Sequence, residues 1–190
     1  DNDGELGNEA EIDETYVGGK NKNRHESKKV KNSQGRSTKD KTAVVGMVER
    51  GGKVIAQKVD DVKGSTVRPM AEKTIAKDSI VYTDEYRGYN GLSKDYEHMV
   101  VNHSEGEYVS GPAHTNTIEG FWSHLKRGII GIYHHVSEKH LQKYVDGTAF
   151  RYNTREMTEA ERINYLFQHT EVRTRYHDLI ADKNLPPLPF

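Results

Sequence analysis

Two β-branched runs, TAVVGMVE over residues 42–49 and KVIAQKV over 53–59, are separated only by Arg50, Gly51 and Gly52. A loop that short and that rich in glycine closes an antiparallel hairpin. The centre of this chain is therefore a sheet, and the flanking segments must supply further strands and the helices that cover it. One strand comes directly before the hairpin. Ala10, Ile12, Glu14 and Tyr16 alternate with Glu11, Asp13, Thr15 and Val17, and the alternation stops at Gly18-Gly19. The first third of the chain thus reads as an antiparallel meander.

From Gly64 the pattern changes period. Ser65 or Thr66 can cap a helix running to about Lys77, with Pro69 accommodated in its first turn. Strands follow at 79–84 (SIVYTD) and 96–101, with a short helix or turn between them over 85–92. Residues 102–113 read as a loop, and three helical segments come after it. The first covers about 116–127. The second starts at Ser137 and places Leu141, Tyr144, Val145, Thr148 and Tyr152 on one face. The third opens on Thr158-Glu159-Ala160-Glu161, a capping box, and carries Ile163, Leu166 and Phe167. This order predicts an α/β domain with a central mixed sheet and helices on both faces. The expected boundaries are a frayed, acidic 1–8, one domain over 9–170, and a proline-containing tail over 171–190.

Composition removes several chemistries. With no cysteine there is no disulfide scaffold, thiolate nucleophile or cysteine-ligated zinc. The apolar runs are only a few residues long, so neither a membrane-spanning helix nor a signal segment is expected. A cytoplasmic protein is expected. The formal net charge of −1 conceals an asymmetry: residues 20–41 hold nine Lys or Arg against two acids, a net of +7, which leaves −8 for the rest. Such a segment suits a polyanionic partner or a solvated linker. The chain opens at Asp1 rather than Met, and a processed or excised piece of a longer protein is expected, with a further N-terminal module before it.

Three acids occupy informative places: Asp13 in the first strand, Asp84 at the carboxyl end of SIVYTD, and Glu119 in the first turn of the helix after the long loop. Carboxylates gathered at neighbouring strand ends repel one another unless a cation joins them, and a hard divalent ion is the natural partner. Acids at strand ends can equally be solvated charge, and spacing alone leaves both readings open. Glu119, Trp122, Ser123 and Lys126 share one helix face, so a carboxylate and an ammonium stand two turns apart.

Four segments, DETYVGGK (13–20), YTDEYRGY (82–89), HTNTIEGFWSHLKR (114–127) and FRYN (150–153), together resemble the catalytic domain of DDE transposases of bacterial insertion sequences, in the subgroup related to eukaryotic Merlin elements. The aspartates are 71 residues apart, and Glu119 follows Asp84 by 35. The resemblance implies an RNase H-like fold in which Asp13, Asp84 and Glu119 are catalytic and hold two Mg²⁺ or Mn²⁺ ions, about 3.5–4 Å apart. It implies cleavage at transposon ends and joining of the 3′-hydroxyl to target DNA. Terminal inverted repeats and target DNA are then the partners, at the nucleoid, bound by a homodimer or larger assembly.

The same resemblance implies that Lys126 contacts the DNA end. Arg127, Arg87 and the basic loop, with Lys20, Lys22, Arg24, Lys28, Lys29 and Lys31, are further candidates for phosphate contacts. Of these, Arg87 and Arg127, together with Arg151, are the weaker candidates. Some relatives carry Asn or another residue at the third acid, and Asn116 lies one turn before Glu119. Asn116 is therefore an N-cap, a support for a ligand, or an alternative ligand itself. Two other functions fit the same acids: an RNase H-like nuclease or resolvase without strand transfer, and an inactive, domesticated transposase that only binds DNA. His134-His135 is expected to be a surface turn.

Overall fold

The computed structural model describes residues 6–18, 25–31, 37, 39–101 and 114–169. Five strands form one mixed sheet in the order β3-β2-β1-β4-β5. They are β1 (Glu9–Gly18), β2 (Lys41–Glu49), β3 (Val54–Val59), β4 (Ile80–Asp84) and β5 (Glu97–Val101). The meander β1-β2-β3 is antiparallel, whereas β4 and β5 run parallel to β1. In the hairpin turn Gly51 takes φ +75°, a backbone setting that glycine enters without steric cost. The helices are α1 (Gly64–Thr74), α2 (Asn116–Gly128), α3 (Leu141–Asn153) and α4 (Glu159–Gln168). A π-helical segment, Ile129–Tyr133, continues α2 directly.

Strand alternation divides the core in two. Ala10, Ile12, Ala43, Val45 and Met47 pack with Val67 and Ala71 of α1 on one face. Val44, Val48, Val54 and Ala56 pack on the other face with Ile118, Phe121, Trp122 and Leu125 of α2 and Leu141 and Val145 of α3. The expected mixed sheet with helices on both faces is what the chain forms. Each large apolar side chain buried in this way contributes about 1.5–3 kcal/mol, so α2, with four, is held firmly to the sheet. Helix α4 buries none, and Ile163 and Phe167 are exposed. What fixes α4 is its start, where the capping box of Thr158 and Glu161 forms as expected, and Arg162, which bonds to Thr154.

Three expectations are corrected. The N-terminus is not frayed through residue 8: Leu6 is fully buried, its N–H donates to Thr74 at 3.0 Å, and its carbonyl accepts from Ala76 at 2.8 Å. One leucine sealing the end of the core outweighs the polar composition around it. Helix α1 begins at Gly64, so Pro69 falls in its second turn rather than its first. Its entry is fixed from outside by Asp61, whose Oδ1 accepts from the Lys63 N–H and the Thr66 hydroxyl. The third correction concerns Asn116, which is the first residue of α2 and not its cap. Among the described residues no helix is long and apolar enough to cross a membrane. Residues 170–190, and with them the expected tail, lie outside the described residues.

Candidate functional site

The parallel pairing of β1 with β4 sets Glu9 beside Ile80, Ala10 beside Val81 and Glu11 beside Tyr82. Carried two residues further, that register puts Asp13 level with Asp84, both on the face that α2 covers. Burial first, then the negative charges of Glu14 and Asp84, push the Asp13 carboxyl from 3.8 up to about 7. Asp84 ends its strand, and its Oδ1 accepts the Tyr86 N–H at 3.0 Å. Behind them, on the α1 side, the Tyr89 hydroxyl donates a short hydrogen bond to Glu14. Burial and the three nearby carboxylates push the Tyr89 hydroxyl far up, so it stays a donor.

Helix α2 meets this pair through Trp122, whose Nε1–H donates to Asp13 Oδ2 at 3.0 Å. The contact depends on a missing side chain. Gly46 stands opposite Asp13 in the β1–β2 register, between Val44 and Val48 on the α2 face, and a Cβ there would lie 2.6 Å from the Trp122 ring. Glycine inside a strand is the sequence signal of a close approach of this kind. Gly46→Val is expected to cost about 1–3 kcal/mol by overpacking. Trp122 is the only tryptophan, so its emission should move to the red as the indole is displaced. An unchanged spectrum and stability would show that the indole is not seated on Gly46.

The start of α2 is held by a charge delivered from the sheet. Glu11, fully buried, accepts the N–H groups of Thr117 at 2.9 Å and Ile118 at 3.0 Å, and the Thr117 hydroxyl at 2.9 Å. Arg50, in the hairpin turn, donates to Glu11 at 2.8 Å, to Glu9 at 2.6 Å and to the His114 carbonyl at 2.8 Å. Its guanidinium lies 3.8 Å from the centre of the Tyr82 ring. A carboxylate at the positive end of a helix outbids a neutral amide, which is why Asn116 is left exposed and does not cap. Glu11 and Arg50 were not predicted. The available signal was an acid of the same parity as Asp13, one strand position from buried apolar residues.

Asp13 and Asp84 come together. Glu119 is exposed on the first turn of α2, one turn before Trp122, and its Oε1 accepts the Thr115 hydroxyl at 3.4 Å. Among the described residues no group of three or more His, Asp or Glu lies close enough to hold a metal ion. Lys126 and Arg127 are exposed in the last turn of α2, and Arg87 is exposed just after Asp84. Lys29 pairs with Glu26 at 2.6 Å, and Lys31 is exposed. Lys28 lies in the short turn Glu26–Lys28, whereas Lys20, Lys22 and Arg24 fall outside the described residues. His134 and His135 are exposed, the former at φ +60°, and they lie in the irregular stretch after Tyr133.

The family model of the ISXO2-like transposase domain matches residues 5–153. The chain belongs to that family. This transposase domain is 30% identical over 106 residues to an uncharacterized transposase-like protein of Haemophilus influenzae, covering 55% of the domain and 85% of that protein. It is 32% identical over 144 residues to an uncharacterized protein in transposable element ISH50 of Halobacterium salinarum. That match covers 71% of the domain but 49% of the relative, so the domain spans about half of that protein's length. A chain in the cryo-EM structure of the simian T-cell lymphotropic virus intasome in complex with PP2A regulatory subunit B56 gamma aligns with TM-score 0.40 and 12% identity, over 99% of this chain and 59% of that one.

Proposed function

We propose that this transposase domain cleaves DNA at transposon ends and joins the freed 3′-hydroxyl to target DNA, with Asp13, Asp84 and Glu119 as its catalytic carboxylates. The observation that carries the reading is that the β1–β4 register, carried two residues on, sets Asp13 level with Asp84, whose charge acts on it, under a helix that bonds to Asp13. Two repelling, half-buried oxygen donors fit a hard divalent cation in kind. Glu119, on the helix tied to Asp13 through Trp122, is the third donor we assign. Mg²⁺ or Mn²⁺ bound there would supply Lewis-acid stabilisation of the phosphodiester and lower the pKa of the attacking hydroxyl or water.

The protein's own part is positioning. Asp84 is fixed by the Tyr86 N–H, Asp13 by Trp122, and α2 by Glu11, so the acids are placed before substrate arrives. Lys126 and Arg127, further along α2, are placed to meet phosphates of the bound end, and Arg87 to meet them beside Asp84. The β1–β2 connection, with its basic residues, leaves the carboxyl end of β1, the same end of the sheet from which Asp84 emerges. Asn116, free of any capping duty, remains available as a neighbour of a ligand.

The test is a supercoiled plasmid with oligonucleotides of the element's ends, in Mg²⁺, Mn²⁺ or EDTA, with nicking and joining read separately. Both products are expected with either metal and neither in EDTA. Asp84→Asn should remove both by several orders of magnitude with the fold intact. Full activity of that variant would overturn the assignment, and nicking without joining would make the domain a nuclease instead.

A further inference from the structure

Away from the carboxylates, a cavity of about 450 Å³ opens between the end of the π-helical segment and α3, within the size range of small-ligand sites. Tyr133 and Tyr144 line it as an edge-to-face pair with ring centres 4.6 Å apart. Lys143, Arg151 and His140 complete its rim, and no Asp or Glu lines it, although the chain as a whole is slightly acidic. Gly147 leaves its floor open, since a Cβ there would meet nothing within 4 Å. Aromatic faces beside cationic tips match a flat, anionic ligand, which is the chemistry of a nucleotide.

We infer that this groove binds an unpaired nucleotide of the DNA substrate, its base stacked on the tyrosines and its phosphates on Lys143 and Arg151. The choice of an unpaired base follows from access, because in a duplex both faces of a base are already stacked. The position fits too. One continuous helix runs from Glu119 past Lys126 to Tyr133, and fourteen residues at about 1.5 Å each span roughly 20 Å. A strand anchored at the carboxylates reaches the groove within a few nucleotides. The inference rests on the reading of this domain as acting on DNA, and it adds a second contact that reads strand opening.

The test measures fluorescence anisotropy of a labelled oligothymidylate, and of a blunt duplex of equal length, with the whole chain in EDTA. Tyr133→Ala should weaken binding of the single strand at least about fivefold, the low end for one lost stacked base, and leave the duplex unchanged. Tyr133→Phe, which keeps the ring, should bind like the parent. If Tyr133→Ala loses its circular dichroism, Lys143→Gln, exposed on α3, carries the same comparison. Equal single-strand affinity of variant and parent overturns the inference, as does an equal loss for the duplex. So does displacement by thymidine monophosphate at matched phosphate, which would make this a free-nucleotide site. A drop in mass by light scattering with DNA binding intact overturns it as well, since the groove and the exposed Ile130 and Ile132 would then join two copies. Plasmid nicking by the same protein preparations, moved into Mg²⁺ or Mn²⁺, separates the two readings: a parent that binds single strands through Tyr133 but never nicks with either metal leaves this inference standing and removes the catalytic one.

Discussion

At pH 8 without divalent cations, Asp13→Asn is expected to melt at a higher temperature than the parent while losing DNA cleavage by several orders of magnitude. Burial, Glu14 and Asp84 hold the Asp13 carboxyl at about 7, against 3.8 for an unperturbed group. The folded chain therefore keeps a proton that the unfolded chain has already released. The stability this provides is fully present below about pH 4 and is lost as pH rises toward 7. Above that, the folded state must hold a desolvated charge beside two others. A rise of this size corresponds to a ceiling of about 4 kcal/mol at pH 8. Half of that, about 2 kcal/mol, raises the melting point of a domain of this size by about 4–8 °C.

Asparagine keeps an oxygen for the Trp122 N–H, so the helix contact need not be lost with the charge. Near pH 4 the two proteins should melt alike. Adding Mg²⁺ at pH 8 should raise the parent toward the variant and move the variant less, because the variant has lost the Asp13 charge and keeps only the carboxylates around it. Equal melting points across the whole range, or a less stable variant at pH 8, would show that Asp13 is not a strained carboxylate. An active variant would remove it from the chemistry. The two readouts pull in opposite directions, as they must where a site sacrifices stability for function.

Most of the sheet was legible because strands announce themselves by alternation and by the turns between them. The three-residue hairpin loop and the strand expected over 79–84 carried over directly. The capping box of Thr158 did too, because both of its partners lie within one turn of sequence. What could not be read was anything supplied from far along the chain. Leu6 sealing the core and Glu11 holding α2 both act across sequence separations that local pattern does not encode. The site divides the same way. Asp13 and Asp84 were recoverable from motifs, whereas the Gly46 gap that seats Trp122 requires the register of β1 against β2.

Glu11→Ala is expected to cost roughly 3–5 kcal/mol, the range for removing one partner of a buried ion pair. Four donors lose a partner at once: the Arg50 guanidinium at 2.8 Å, the N–H groups of Thr117 and Ile118, and the Thr117 hydroxyl. Arg50 still has Glu9 and the His114 carbonyl, so the damage falls chiefly on the first turn of α2. That turn carries Glu119, and Trp122 follows it by one turn. Glu11→Gln keeps an acceptor of the same shape and loses only the charge, so its cost should be nearer 1.5–3 kcal/mol. The order of the two variants distinguishes a cap from a merely buried side chain. A group that only filled space would be replaced by glutamine almost without loss. In Glu11→Gln, hydrogen exchange at Thr117 and Ile118 should accelerate before the strand amides do, and Trp122 emission should shift to the red. Cleavage should fall with them although Glu11 touches no substrate. If Glu11→Gln matches the parent in stability, exchange and emission, then α2 is positioned by its apolar face alone and the charge delivered from β1 has no part in presenting Glu119.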